Sequence, residues 1–331
     1  MILGIPPRAM AMLIAAFAVL VGLPLVAGDY VLSVLVLVLY LAYLGLAWNI
    51  MMGFAGLLSL GHALYIGLGA YTGAVLYVHF GIVPWLAMPV AAGVAGLAGA
   101  LNGFLGFRFS IRGVYFALLT IAFAEFTRVL FDHWEWVNGS GGFFIPAQGS
   151  GVDLLRLSGP PQMFYYVLLI MTVAVLAISR AVLRSRLGYY WLAIREDQEA
   201  AQALGVNVFR YKMTAVVLSA ALTSQAGVIN AFYYKNLFPE QIFSIQNSIE
   251  LLLAPIIGGV GTLIGPVLGS FILTPIGEAL TVYTEELHIP GLKQVFWGSL
   301  VIVIVLFRPD GVWPWLAPRL RVTDRPPEGA A

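Results

Sequence analysis

Ser59 and His62, three residues apart in an apolar stretch, are the pairing in this chain that most resembles a nucleophile beside its base. Acyl transfer would also need a third group to orient the imidazole and a turn that exposes the hydroxyl. Neither accompanies them, and isolated Ser/His pairs in membrane segments usually serve interhelical hydrogen bonds. Other chemistry is thin. The chain has no Cys, so thiol nucleophiles, thiolate metal sites and disulfides are excluded. No GxxxxGK(S/T) phosphate loop and no HExxH metal motif occurs in it, so it does not bind ATP through such a site. Ionisable groups within apolar segments default to functional assignments. Here they are Glu125 and Arg128, at i,i+3 ion-pair spacing, and Glu278, which follows Pro275. They make no relay of carboxylates or histidines of the kind a proton-coupled carrier needs. No catalytic residue, metal ligand or cofactor is assigned, and any energy input is expected to enter from outside the bilayer.

The elements that position these residues are set by hydropathy. Of 331 residues, 60% are hydrophobic and 10% charged, and the mean hydropathy is +0.92. Soluble domains carry about 25% charged residues, so this is an all-α integral membrane protein. A net charge of +1 gives no field for holding nucleic acid. A span needs about 20 apolar residues, and candidates run 10–27, 31–51, 57–79, 83–106, 113–131, 163–183, 213–234, 250–262, 263–282 and 292–307. The eighth is short and rich in Gly and Pro, which makes it a half-helix, a re-entrant piece, or one arm of a broken helix with the ninth. The fold expected is a single transmembrane domain over 1–331 with about ten transmembrane helices, one broken or re-entrant.

Lys and Arg set the orientation. With the N-terminus inside and ten crossings, Arg8, Arg108, Arg112, Arg180, Arg184, Arg186, Arg195, Arg210, Lys212, Arg308, Arg319, Arg321 and Arg325 fall on the cytoplasmic side. Arg128, Arg156, Lys235 and Lys293 fall outside, a split of thirteen to four. Nine crossings would strand the basic stretch Arg308–Arg325 outside. Both termini are therefore expected in the cytoplasm. The first span is long and ends at Leu25-Val26-Ala27, where Leu25 is a poor small residue for cleavage, so it reads as a retained signal anchor.

Three polar stretches remain. Segment 132–162, with Asn138-Gly139-Ser140-Gly141-Gly142, is expected to be an irregular external loop. The tail 308–331, with Pro309, Pro314, Pro318, Pro326 and Pro327, is expected to be extended or disordered in the cytoplasm. Segment 184–212 is expected to be internal. Good helix formers run from Leu192 to Leu204, and Gly205 sits where a left-handed cap stops a helix. Its face Ile194, Ala201, Leu204 is apolar, and Arg195, Glu196, Asp197 and Glu199 are charged. Such a helix is either an ordinary connector or a surface that docks a soluble partner. Glycine rows at Gly53–Gly61 and Gly258–Gly261 serve tight helix packing or mark an interrupted segment beside a substrate route.

Taken together, several stretches resemble the LivM-type permease of branched-chain amino acid ABC transporters. They are Asn49-Ile-Met-Met-Gly-Phe-Ala-Gly-Leu-Leu-Ser-Leu-Gly-His62 with Gly67-Leu-Gly-Ala-Tyr71, Ala193-Ile-Arg-Glu-Asp197 leading to Glu199-Ala-Ala and Gly205-Val-Asn207, Arg210-Tyr-Lys212, and Gly258-Gly-Val-Gly-Thr262 with Gly265-Pro266. The likeness covers 30–310 in order. It implies the ABC importer permease fold in a bacterial inner membrane, with a LivH-like second permease, two cytoplasmic ATPase subunits and an extracytoplasmic solute-binding protein as partners. By position, the residues coupling to the ATPases would be Arg195, Glu196, Glu199, Ala200, Ala201 and Gly205. A permease fed by a binding protein should hold solute weakly, so small and polar residues should line the pathway. Asn49, Ser59, Gly61, His62, Gly258 and Gly261 are the candidates. An autonomous channel or secondary carrier is the alternative.

The chain departs from the family at Gly188-Tyr189, where Gly-Arg is usual, at Thr223-Ser224-Gln225, where a Gly/Ala-rich stretch is usual, and at Pro255. These departures leave the solute open among branched-chain amino acids, urea, amides and aromatic acids.

Overall fold

The computed structural model describes residues 15, 17–146, 151–287 and 291–319. Runs of Leu, Val, Ala and Phe with few interior charges form long helices, because a backbone in hydrocarbon must satisfy its own polar groups. In chain order they are α1 (Asp29–Asn49), α2 (Ala63–Phe80), α3 (Pro84–Arg108), α4 (Val114–Asp132) and α5 (Pro161–Leu183). Two short helices follow, α6 (Arg186–Glu196) and α7 (Gln198–Ala203), then α8 (Val208–Tyr234), α9 (Pro239–Ile242), α10 (Ile245–Gly258), α11 (Gly265–Leu287), α12 (Leu292–Phe307) and α13 (Val312–Leu316). Pro84 and Pro161 open α3 and α5 at positions whose N–H has no helical partner.

Among the described residues, seven helices are long and apolar enough to cross a membrane. The shorter α10 and α12, with 14 and 16 residues, belong to the same bundle. Of the expected first span, residues 17–22 are helical and turn at Leu23–Leu25 around Pro24, while 10–14 and 16 lie outside the described residues. Length and composition alone thus do not reach the expected ten.

Helices α1 and α8 are central. α1 packs on α5, α8, α10 and α11, and α8 packs on α2 and α3. Outward faces stay apolar: Leu97 on α3, Tyr115 and Phe126 on α4 and Ile170 on α5 are all exposed, as a lipid-facing surface requires. At the α2–α8 crossing the backbones approach reciprocally. A Cβ on Gly69 would lie 2.1 Å from the Ser224 carbonyl oxygen, and one on Gly227 would lie 2.1 Å from that of Ile66.

The chain's turns gather at two ends of the bundle. One end holds the 50–62 segment, the α3–α4 turn, α6 and α7, the α10–α11 turn and α13. Contacts across it include Arg112–Glu199, Arg195 to the Gly53 carbonyl and Gly311 against Gly259. The other end holds the 133–160 loop and the strands β1 (Phe143–Phe144) and β2 (Asn236–Leu237), paired antiparallel with Phe143 opposite Leu237. It is also tied by Trp85 Nε1 donating to the Leu154 carbonyl and Tyr165 donating to that of Leu20. Arg108, Arg112, Arg184, Arg186, Arg195, Arg210, Lys212, Arg308 and Arg319 belong to the first end by chain position, and Arg156, Lys235 and Lys293 to the second.

Four expectations change. The third span does not begin at 57: a π-turn, Ile50–Phe54, leads into an irregular stretch, and helix resumes at Ala63. The loop helix 192–204 is two helices, because Asp197 adopts φ −152° and its carboxylate accepts from the N–H groups of Glu199 and Ala200. Segment 132–162 contributes strand β1, which pairs with β2 beyond α8, and residues 147–150 lie outside the described set. The tail is helical at α13, where Trp313 is buried against the α11 start near Ile264 and Leu268; residues 320–331 lie outside the described set. The proposed break between the eighth and ninth spans is present as α10, a turn over 259–264, and α11.

The α2–α8 crossing makes a prediction. Gly227→Ala should lower stability by about 1–3 kcal/mol, the usual cost of overpacking. Gly96→Ala, whose Cβ would meet only Val217 at 3.5 Å, should be close to neutral. Thermal unfolding of the two purified variants in detergent checks this, and equal melting temperatures would contradict the tight crossing.

Candidate functional site

The loop between α5 and α8 is built by three local devices. Asp197 caps α7, accepting from Glu199 N at 2.8 Å and Ala200 N at 3.0 Å. Gly205 ends it at φ +86°, a left-handed conformation that side chains with a Cβ adopt at a cost. The Val206 N–H reaches back to the Ala201 carbonyl at 3.1 Å, the long bond of a Schellman stop. Asn207 then caps α8 by accepting from Arg210 N at 3.0 Å.

Three apolar side chains, Ile194, Ala201 and Val208, anchor the loop and are buried together. Trp191 is fully buried and donates to the Tyr211 carbonyl at 2.8 Å. Lys212 donates to Gln198 Oε1. Leu204 does not share the burial of Ile194 and Ala201 and is 86% exposed, because the restart at Gln198 rotates α7 relative to α6. Glu196, Glu199 and Ala200 also face outward, and Glu199 meets Arg112 at 3.4 Å in a solvent-exposed pair worth little on its own.

Arg195 turns the other way. Its Nη1 donates to the Gly53 carbonyl at 2.6 Å, and its Nη2 pairs with Glu196 at 2.8 Å. Gly53 belongs to the π-turn that follows Asn49. Asn49 Nδ2 donates to the Thr262 carbonyl at 2.8 Å and its Oδ1 accepts from Gly261 N at 2.8 Å. Arg195, Gly53, Asn49 and Gly261 thus form one junction of the loop, the end of α1 and the α10–α11 turn. Gly261 sits at φ +79° with the Arg195 guanidinium 2.8 Å from where a Cβ would be.

Deeper in the bundle, Ser59 Oγ and His62 Nδ1 lie 2.9 Å apart, and His62 Nε2 lies 3.0 Å from Ser219 Oγ. Ser219 donates its single proton to the Ala47 carbonyl at 2.8 Å. His62 Nε2 must therefore carry the ring proton and Nδ1 must accept from Ser59, a tautomer assigned from the network. Each of these residues is fully buried, and the second ring nitrogen meets a serine where a hydrolase would place a carboxylate. Thr120 accepts from Leu60 N at 3.1 Å, Ser248 accepts from Ala63 N at 2.9 Å, and Trp48 Nε1 donates to the Ser59 carbonyl at 2.9 Å. Side chains of α1, α4 and α10 thereby satisfy the backbone where helix is absent. A Cβ on Gly61 would lie 2.0 Å from the Thr120 oxygen, and one on Gly258 would lie 1.7 Å from the Gly265 oxygen. All six candidate pathway residues thus cluster at the two helix breaks, with their polar atoms engaged by neighbours.

Sequence reasoning missed Asp197 as a cap, Arg112 and Gln198 as loop contacts, and Thr120, Ser219 and Ser248 as partners of the broken segment. Only Asp197, one residue before a run of helix formers, carried a local signal.

A helical bundle with interrupted spans and a capped polar loop at its basic end defines a multi-pass membrane permease. The profile of the family described as branched-chain amino acid transport system / permease component matches residues 30–306, and the chain belongs to that family. Among relatives, the high-affinity branched-chain amino acid transport system permease protein LivM of Escherichia coli K12 is 29% identical over 96% of this chain and 78% of its own. The autoinducer 2 import system permease protein LsrC of Enterobacter sp. 638 is 26% identical over 67% of this chain and 62% of its own. The permease protein LivH of E. coli K12 is 30% identical over 42% of this chain and 44% of its own. No solved structure matches the chain.

Asn49→Ala would leave the Gly261 N–H and Thr262 carbonyl without partners, at a cost of about 1–3 kcal/mol per orphaned group. Asn49→Asp keeps the acceptor for Gly261 and should recover part of the loss. Melting temperatures of both variants in detergent test the junction; an unchanged Asn49→Ala would remove it from the fold's stabilising contacts.

Proposed function

We propose that this permease is one half of the membrane channel of an ATP-driven, binding-protein-dependent importer. Its basic end, with both termini, faces the cytoplasm of a bacterial inner membrane. Its partners are a LivH-like second permease, two cytoplasmic ATPase subunits and an extracytoplasmic solute-binding protein. The solute is a branched-chain amino acid or a related small polar molecule, in keeping with the names of the LivM and LivH relatives. The observation that carries this reading is the loop. It is buried and hydrogen-bonded on its inner side, yet presents Glu196, Glu199, Ala200 and Leu204 outward, a helix end shaped for a groove on a soluble partner. Ala201 and Gly205 hold that end in place, and Arg195 links it to the interior.

The candidate pathway residues Asn49, Ser59, Gly61, His62, Gly258 and Gly261 then form the wall beside the route. Their polar atoms are taken by neighbours, so the route runs along this chain's contact with the second permease. Segment 132–162 is the external loop and 184–212 the coupling loop.

Sidedness is tested by single-Cys labelling, which the Cys-free sequence makes direct. Ser140→Cys should react with an impermeant maleimide in intact cells, and Ser110→Cys should react only after permeabilisation. The opposite pattern would invert the topology and separate the loop from cytoplasmic ATPases.

Coupling is tested on the outward face. Nothing lies within 4 Å of a Cβ at Gly205, so Gly205→Val acts through backbone strain alone, about 1 kcal/mol or more, and misdirects α7. Glu199→Lys reverses the charge offered to the partner. Both should lower solute-stimulated ATP hydrolysis and uptake in the assembled complex. Normal uptake in both variants would rule out the docking assignment and favour an autonomous carrier.

A further inference from the structure

Two cavities meet at the α3–α4 turn. One, about 140 Å³, is sunk between the 55–58 segment, the α3–α4 turn and the coupling loop, with Arg112, Arg195, Gln198 and Lys212 in its lining. The other, about 780 Å³ and open, runs along the outer face of α4 past Tyr115, Leu118 and Ala122. They share Ile111 and Arg112. The pair forms a basic pocket that continues into an apolar groove at the start of a membrane-spanning helix.

We propose that this composite site binds one anionic phospholipid, its phosphate in the pocket and an acyl chain in the groove. Among the described residues, three cationic side chains line the pocket and no carboxylate does. Glu199 approaches only at the rim, against Arg112, with its side chain 80% exposed. Arg195 is already engaged with the Gly53 carbonyl and Glu196, and adds field without donating first. Arg112 and Lys212 supply the direct contacts: the Arg112 side chain is 56% exposed, and the Lys212 ammonium donates to the neutral Gln198 amide rather than to a carboxylate among the described residues.

The groove selects a lipid over a soluble anion. Tyr115 and Leu118, 76% and 55% exposed, stand one turn apart on α4 and continue directly into the span. Basic pockets at the ends of membrane helices take anionic head groups, whereas a zwitterionic head group brings an ammonium that these three cations repel. Because Ile194, Arg195 and Gln198 belong to the loop that carries α7, a bound lipid also fixes that loop against α4. The site requires only that the chain span a membrane, and stands whether or not the ATPase docking assignment holds.

Native mass spectrometry of the full-length chain, with whatever subunits copurify, tests this after delipidation in neutral detergent. Phosphatidylglycerol should be retained about tenfold over phosphatidylcholine of the same chains. Arg112→Gln with Lys212→Gln should reduce that retention about tenfold, and Arg156→Gln at the opposite end should leave it unchanged. Millimolar inorganic phosphate should not displace the lipid. Equal retention of the two lipids, displacement by phosphate, or full retention by the double variant would each overturn the proposal. The lipid comparison and phosphate competition on the unaltered chain decide it even if the double variant fails to fold.

Discussion

One amide holds this bundle together at its weakest point. Asn49 ends the central helix where the helix must stop, and its two amide atoms are both spent on the α10–α11 turn, 212 and 213 residues further along the chain. A break in a membrane helix exposes backbone N–H and C=O groups that hydrocarbon cannot satisfy, so it persists only where protein groups replace the missing ladder. Here two breaks lie side by side and satisfy each other through Asn49. Thr120, Ser248 and Trp48 complete the account for the stretch that follows. The glycines at the same place have a matching role: Gly61 and Gly258 let carbonyls of neighbouring helices come closer than any side chain would permit.

How much of this was legible in the sequence follows from which interactions are local. The long helices were legible because their signal is composition summed over about 20 residues. Gly205 was legible because a left-handed helix stop is set by one residue and its neighbours. Residues 57–62 were not. Leu57, Leu58 and Leu60 look like any span, and only tertiary hydrogen bonds from α1, α4 and α10 keep this stretch out of a helix. The division of the loop helix was obscured for a related reason. Arg195 to Glu199 are acceptable helix formers, and the balance is tipped by Asp197, whose short carboxylate competes for backbone N–H groups. That single break separates Leu204, which is exposed, from the buried Ile194 and Ala201. The tail was misread because Pro309 and Pro314 suggested an extended chain, whereas Trp313 finds a buried seat against α11.

At the candidate site, the residues expected to act together separate into two sets. Glu196, Glu199 and Ala200 face outward, while Arg195, itself partly exposed, reaches inward to the Gly53 carbonyl. Sequence order could not make that distinction, because adjacent residues on a helix diverge by about 100°. The placement gives Arg195 a role as a positioning residue: its guanidinium reaches the π-turn carbonyl of Gly53 and lies against Gly261. The outward face and the helix breaks are thereby joined through one side chain and the short helix α6 that carries it.

This geometry limits how the loop can move. α6 is held by buried Trp191 and Ile194, and α7 is joined to it through the Asp197 cap, so a displacement applied at the outward face carries α6 with it. Arg195 then has two outcomes. It either pulls on the Gly53 carbonyl, shifting the π-turn and with it Asn49, or it lets go and leaves that carbonyl unpaired in a mostly buried site. The second outcome costs about 1–3 kcal/mol, more than exposed pairs such as Arg112–Glu199 contribute. The cheaper path is for the π-turn to follow the loop, which places the mobile seam where two breaks already share their hydrogen bonds and no continuous helix has to bend.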